Sequence, residues 1–502
     1  MTELLSSLVL EDDPINRAAK DYFGLPYVFP IQRLVISNIL EKLDQIVVLP
    51  TGAGKSLCFM LPAKIRPGIT LVIFPLLSLI ADQERRMRDA GLRVMILQGG
   101  QSIQERKRVF GACKERSIDI LLANPEVLLT EAVKRELQNT VISNFVIDEA
   151  HIIAEWGLTF RPAYREIPTI LSYLKAEQVT AFTATASPDI LANIKRIVFQ
   201  ESTPNVILGN PDRPNILYSV RFVLSKSRTI REMVKYAVKP LIIFVPTRNC
   251  ARDTALMLIS SSTWSETRFY HAGLSKEEKQ QIENWFFYKD DAVLVATCAY
   301  GMGVDKKNIR TVIHHSPPGS VESYLQESGR AGRDREIAEA HLLFDAEDIG
   351  KAVRGGSTTE EKRFQQMLHY CIQNTRCRRE VLLSWFEAEP EYCPGCDICA
   401  DRVLSEMPAL QSLIHTVKRL PPVFSYEAIV RHLSGRDWYR YRDSECLPGY
   451  GLLSCLEYDE IEVLIKSLIK GGVLTEKLPL LTNVILSVCK KLGVLIRKIK
   501  KT

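Results

Sequence analysis

Residues Val141–His151 read VISNFVIDEAH, a largely apolar run that ends on two adjacent carboxylates. Such a run predicts a strand buried on both faces, which belongs in a parallel sheet covered by helices. Asp148 and Glu149 then fall at the carboxyl end of that strand, where open α/β sheets bind their ligands. Placed there, Asp148 can hold Mg²⁺ through water and Glu149 can polarise an attacking water. An acidic pair alone is also compatible with a solvated surface turn, so the reading depends on its neighbours.

Upstream, Thr51-Gly52-Ala53-Gly54-Lys55-Ser56 follows the apolar run Ile46–Leu49 and precedes an amphipathic segment, the context of a phosphate-binding loop. Glycines let backbone N–H groups approach phosphates, and the helix that begins there points its positive end at them. Lys55 can reach the β- and γ-phosphates of ATP, and Ser56 can ligate Mg²⁺. Leu49 stands where the general pattern has its first glycine.

The alternation of short apolar runs with helical stretches continues through Thr70–Phe74, Ile118–Leu122 and Val179–Thr183, predicting one α/β lobe. It restarts with Pro240–Val245, Thr267–Tyr270, Ala292–Ala296 and Thr311–His315, a second lobe. Asn210–Tyr218, rich in Pro and Asp, reads as the linker. Residues 326–334 of the second lobe read QESGRAGRD. Arg330 and Arg333 are expected one helical turn apart on one face, so that one can reach the γ-phosphate of ATP bound to the other lobe as an arginine finger.

At 502 residues, 46% hydrophobic and 25% charged, the chain exceeds one hydrophobic core and excludes wholesale disorder. Its net charge of +6 matches the six lysines and arginines of the segment Val484–Thr502, so charge alone does not identify a polyanion partner. The N-terminus lacks a secretory pattern, and no run approaches the roughly 20 apolar residues of a membrane span. Twelve cysteines without such a signal suggest a reducing, cytoplasmic setting in which clustered thiols bind metal. Cys377, Cys393, Cys396 and Cys399, spaced C-x15-C-x2-C-x2-C, match a closed tetrahedral zinc site, and the other eight cysteines read as core residues. Beyond them, Ile461, Leu464, Ile465, Leu468 and Ile469 form a helix face. Val473–Thr475 and Leu478–Leu481 could pair behind it as a wing.

Several further runs resemble, in order and spacing, the superfamily 2 helicases and among them the RecQ family. They are Phe74–Leu79 with Asp82-Gln83, Thr183–Ala186, Asp212-Arg213-Pro214-Asn215, Tyr270–Leu274, and Ala296-Thr297 through Gly301–Asp305. The resemblance covers nearly the whole chain and is most specific at Trp156-Gly157, Phe160-Arg161-Pro162 and Tyr164, similar to the family's aromatic-rich loop. It implies an α/β protein with two tandem RecA-like parallel-sheet lobes (residues 1–207 and 208–345), followed by a helical zinc-binding module (346–405) and a winged-helix-like C-terminal domain (406–502). ATP, Mg²⁺ and Zn²⁺ are the implied cofactors. Trp156, Phe160 and Arg161 would stack on unpaired bases.

His151 joins the catalytic set of Lys55, Asp148, Glu149, Arg330 and Arg333 by the same resemblance. Gln32, in a stretch similar to the family's adenine-reading motif, joins Thr51, Gly52, Gly54, Lys55 and Ser56 at the nucleotide. Leu25 and Phe29 depart from that motif where the family has an aromatic and an arginine, and Tyr27 is an alternative stacking group. Leu158 and Thr159 stand where the family has His and Asp. The implied activity is ATP-dependent 3′ to 5′ DNA unwinding on single-stranded and forked DNA, in repair or recombination; a monomer is one option for an oligomeric state that the sequence does not disclose. An RNA helicase, an annealing translocase, or a DNA-binding scaffold with weak ATPase are the alternatives, and the intact charged residues argue against the scaffold.

Overall fold

The computed structural model describes residues 13–470 and 474, except 51, 76, 156–161, 201, 262–263, 301–305, 355–357, 418, 421–425, 436–446 and 448. Two parallel sheets organise the chain. The first contains β1 (Gln45–Val48), β2 (Ile69–Ile73), β3 (Val94–Leu97), β4 (Ile120–Ala123), β5 (Ile142–Ile147), β6 (Val179–Thr183) and β7 (Asn205–Leu208), in the order β3-β4-β2-β5-β6-β1-β7. Every residue of β1, β2, β4 and β5 is buried, as strands covered by helices on both faces must be. Ile46, Leu71, Phe145, Ile147 and Ala181 pack with Ile167 and Ile170 in its core.

A second sheet contains β8 (Ile216–Phe222), β9 (Leu241–Phe244), β10 (Thr267–Tyr270), β11 (Val293–Ala296), β12 (Thr311–His314) and β13 (Ala338–Phe344), in the order β10-β11-β9-β12-β13-β8. Leu241, Ile243, Val293, Val295 and Ile313 pack there against Ala251, Ala255 and Leu258 of the helix Arg248–Ser260. The chain divides into two compact units, one running to Asp212 and including Phe386–Glu389, the other holding the remainder from Arg213 onward.

The linker is shorter than the composition of Asn210–Tyr218 suggests, because β8 begins at Ile216. This strand is the edge of its sheet and alternates buried with half-buried residues, so it lacks the apolar run that marks the central strands. Its neighbour β13, AEAHLLF, lies inside the sheet, but Ala338–His341 alternate buried with half-buried residues, so its apolar run is broken too. The helix Tyr458–Lys470 buries Ile461, Leu464, Ile465 and Leu468 of the five-residue face its periodicity predicts, and leaves Ile469 half-buried. The expected wing, apart from Leu474, lies outside the described residues. Of the eight cysteines expected in the core, Cys58, Cys113 and Cys371 are buried and Cys250 is half-buried, but Cys298 and Cys455 lie on exposed turns. Cys446 and Cys489 fall outside the described residues.

Candidate functional site

The first unit gathers three loops at the carboxyl ends of adjacent strands β5, β6 and β1. After β1 the backbone turns through Gly52 and Gly54, both at positive φ (87° and 78°), and enters the helix Lys55–Ile65. Gly54 has a second reason to lack a side chain, since a Cβ there would stand 2.4 Å from Gln32 Nε2. Lys55 and Ser56 open the helix half-buried, and Ser56 Oγ donates to Gln83 Oε1 at 3.4 Å. Thr51 is outside the described residues.

Gln32 is 5% exposed and acts as a strut. Its Nε2 donates to Ala53 O at 2.8 Å, and its Oε1 accepts from Phe29 N–H at 3.1 Å. The helix Pro30–Leu40 that carries it is tied to the preceding helix Pro14–Phe23 by an Arg33–Asp13 ion pair, with Asp13 also capping that helix. Tyr27 and Phe29, both well exposed, meet edge-to-face with centroids 5.4 Å apart.

Beyond β5, Asp148 N–H still donates to Ile73 O at 3.1 Å, so the sheet fixes its backbone. Enclosure pushes its carboxyl up to about 7; the adjacent Glu149 adds to the rise and Lys55 opposes it. Glu149 has φ 52°, a left-handed conformation costing a non-glycine residue about 1 to 2 kcal/mol. The next peptide holds this turn through Ala150 N–H on Phe182 O at 2.8 Å. Buried His151 places Nδ1 3.4 Å from Glu149 Oε2 and 3.1 Å from Thr183 Oγ1. Because the Thr183 hydroxyl donates to Thr185 O at 2.9 Å, its oxygen can accept from His151. The DEAH run is thereby joined to Thr183–Ala186 at the end of β6. The oxygen donors Ser56 and Asp148, with a carboxyl whose charge is disfavoured until a cation shares the site, fit Mg²⁺.

In the second unit Arg330 and Arg333 are not on a helix. Helix Val321–Ser328 stops at Gly329, and residues 330–336 form successive turns. The glycines account for the break: a Cβ on Gly329 would meet Leu325 O at 2.7 Å, and Gly332, at φ 56°, would meet Asn215 Nδ2 at 2.4 Å and Glu336 O at 2.6 Å. Arg213, named in the sequence only as part of a motif, donates to the carbonyls of Gly329 (3.0 Å), Ala331 (3.1 Å) and Gly332 (2.8 Å). Asn215 Nδ2 adds bonds to Gly332 O and Glu336 O.

The four cysteines converge, with all their sulfurs within 4.8 Å of one another. Tetrahedral zinc with Zn–S bonds near 2.3 Å separates its sulfurs by about 3.8 Å, so the cluster fits that ion. Cys396 N–H points at Cys393 Sγ at 3.4 Å and Cys399 N–H at Cys396 Sγ at the same distance. Burial opposes ionisation of Cys393, but the backbone N–H groups of Cys396 and Gly395 outweigh it and bring the thiol to about 7. Asp397, between two ligands, escaped the sequence reading; it pairs with buried Arg378.

Trp156, Phe160 and Arg161, the expected base-stacking residues, lie outside the described residues, as do Gly301–Asp305. Tyr164, at the end of the aromatic-rich stretch, is fully buried in the core of the first unit.

The DEAD/DEAH box helicase family profile matches residues 29–194, the helicase conserved C-terminal domain 225–335, and the RecQ zinc-binding domain 344–400. The chain is 30% identical over 487 residues to the ATP-dependent DNA helicase RecQ of Pasteurella multocida, covering 93% of this chain and 76% of that one. Identity to RecQ of Bacillus subtilis is 33% over 464 residues, covering 89% and 78%. The fold resembles Mycobacterium smegmatis helicase Lhr bound to ssDNA and AMP-PNP (TM-score 0.56, 21% identity, 81% of this chain and 53% of that one). It also resembles S. cerevisiae Dbp5 bound to RNA and ADP BeF3 (TM-score 0.54, 16% identity, 73% and 93%).

Proposed function

The chain belongs to the RecQ family of ATP-dependent DNA helicases, and from that premise we propose that it couples ATP hydrolysis to 3′ to 5′ movement on single-stranded DNA and unwinds forked duplexes. The observation that carries the chemistry is the convergence of the phosphate-binding loop, the Asp148–His151 run and Thr183–Thr185 on three adjacent strand ends. In this reading Lys55 and the amides around Gly52 and Gly54 bind the phosphates. Ser56 and Asp148 hold Mg²⁺, which supplies charge neutralisation on the phosphates. Glu149, oriented by His151, positions the attacking water. Gln32 supports the loop and offers its remaining amide hydrogen to the adenine, with Thr51 completing the contacts.

Arg330 or Arg333 completes the transition state when the lobes close, a contribution of about 10³ to 10⁵ in rate in related chemistry. Trp156, Phe160 and Arg161 stack on bases, so that DNA occupancy is relayed along the short stretch back to Glu149. A monomer acting in the cytoplasm in DNA repair or recombination is the accompanying proposal. Four thiols at metal spacing suit a reducing compartment, and among the described residues no helix is long and apolar enough to cross a membrane.

RNA as the track is the second reading, because the shared fold serves both nucleic acids in the solved structures it resembles. Measuring ATPase stimulation by single-stranded DNA and by RNA, and strand separation on substrates with a 3′ or a 5′ tail, tests the proposal. Strong stimulation by DNA and unwinding only from a 3′ tail are expected. Stimulation by RNA alone, or unwinding from a 5′ tail, would overturn it.

A further inference from the structure

Two consecutive arginines, Arg378 and Arg379, are 1% and 2% exposed, a degree of burial that arginine tolerates only when its donors are satisfied. Both belong to the helix Arg378–Ser384, whose N-cap is the zinc-site residue Cys377. Arg378 pairs with Asp397 through Nε at 2.9 Å and donates to Tyr370 O and Gln373 O at 3.0 and 2.6 Å. Asp397, between Cys396 and Cys399, accepts Val220 N–H at 3.0 Å, and its own N–H donates to Tyr218 O at 3.0 Å. The cysteine loop is thereby stapled to the free edge of β8, covering peptide groups that an edge strand would otherwise leave open.

Arg379 reaches in another direction. Its guanidinium donates to Arg213 O at 2.9 Å and Ile216 O at 2.6 Å, and lies 5.4 Å from the centroid of the Tyr218 ring. That fixes the backbone on which Arg213 stands. Arg213 in turn holds the carbonyls of Gly329, Ala331 and Gly332, the peptides on either side of Arg330. All these residues belong to the second unit.

We propose that Arg379 and Arg213 are positioning residues that transmit the order of the four-cysteine site to the loop bearing Arg330 and Arg333. The assignment rests on the reading that this loop serves ATP hydrolysis. Metal held by Cys377 orders the first turn of the helix that carries Arg379; Arg379 fixes the peptide at Arg213; Arg213 fixes the arginine loop. The cysteine module then serves hydrolysis at a distance, besides its part in folding.

The relay is tested with the full chain carrying Arg213→Ala, Arg379→Ala or Arg213→Lys, and with wild type stripped of zinc. Two readouts are taken: steady-state ATP hydrolysis at saturating oligothymidylate, and amide hydrogen exchange of the peptide spanning 326–336. For the alanine variants kcat should fall by about 10- to 100-fold while KM for ATP moves by less than about threefold, because the loop acts in the transition state. Exchange in 326–336 should accelerate in both variants and on zinc removal, with the Lys55 peptide unchanged. Arg213→Lys keeps the charge but not the three-way donation, and shows the same pattern at smaller amplitude if an alanine variant does not fold. Unaltered exchange in 326–336 in Arg213→Lys and on zinc removal would overturn the relay, as would a raised KM with unchanged kcat. Should wild type show no DNA-stimulated hydrolysis, the functional reading fails by itself, and the exchange arm still decides the relay.

Discussion

The two units place their reactive groups by different means. In the first, backbone does the work: buried parallel strands end at one edge, Gly52 and Gly54 take the loop after β1 through positive φ, and Glu149 sits in a left-handed turn held by sheet hydrogen bonds. In the second, side chains do it: Arg213 and Asn215 hold the loop of Arg330 and Arg333 by its carbonyls, and Arg379 holds Arg213. The contrast implies that the first site tolerates loss of any one remote side chain. The second loop depends on a few guanidinium groups, and behind them on the cysteine cluster.

The largest perturbation of that contrast is removal of the metal site. Structural zinc contributes about 10 to 16 kcal/mol of apparent folding free energy in small modules. Cys396→Ser should lose close to one zinc per chain and express poorly. The soluble fraction should still bind a non-hydrolysable ATP analogue, because the first unit builds that site unaided. Metal analysis of purified protein together with analogue binding checks this, and a fully stable, zinc-free variant would contradict it.

Next in size is Lys55→Ala. The lysine faces the nucleotide phosphates in our reading, so hydrolysis should fall by about a thousandfold or more while affinity for single-stranded DNA changes less than about twofold. Filter binding and a phosphate-release assay on the same preparation measure both. DNA-stimulated hydrolysis surviving in this variant would remove the phosphate loop from the mechanism.

The same contrast explains what was legible in the sequence. The central strand Val179–Thr183 matches its expected bounds to the residue, because burial of all but its first residue leaves a recognisable run. Edge strands β7 and β8 keep residues toward solvent and carry no such mark. The GKS and DEAH runs could be placed at the ends of β1 and β5 because each is read from residues adjacent in the chain. Arg330 and Arg333 could be located, but their conformation could not: helical spacing put them on one face, whereas the helix stops at Gly329 and Gly332 packs against Asn215, more than a hundred residues earlier. Bonds such as Arg379 to Arg213 join positions 166 apart and leave no local pattern.

A smaller effect separates two aromatic positions that the family resemblance groups together. Tyr164 is fully buried in the core of the first unit, so Tyr164→Ala should destabilise that unit by about 3 to 5 kcal/mol. Trp156→Ala, if Trp156 stacks on a base, should leave the melting temperature unchanged, weaken DNA binding by about 1 to 3 kcal/mol, and reduce stimulation of hydrolysis more than that. Thermal unfolding read beside the DNA-stimulated ATPase rate decides between them. Equal losses of melting temperature would assign both residues to packing.

The smallest expected effect is at Gln32, where backbone and side-chain control meet within the first unit. Its amide already serves Phe29 N–H and Ala53 O, and these two bonds hold the turn that Gly54 completes. Each is worth roughly 0.5 to 1 kcal/mol, together about 1 to 2 kcal/mol, so Gln32→Ala should raise KM for ATP by about five- to thirtyfold and change kcat by less than threefold. One amide hydrogen and one lone pair remain beyond those bonds, enough to read the adenine edge. The comparison of ATP with GTP then separates strut from reader. If the amide also reads adenine, the preference for ATP should narrow by a factor similar to the rise in KM. A rise in KM of the same size for both nucleotides would make Gln32 a support of the phosphate loop alone, and would leave the exposed Tyr27–Phe29 pair as the place to look for base selection.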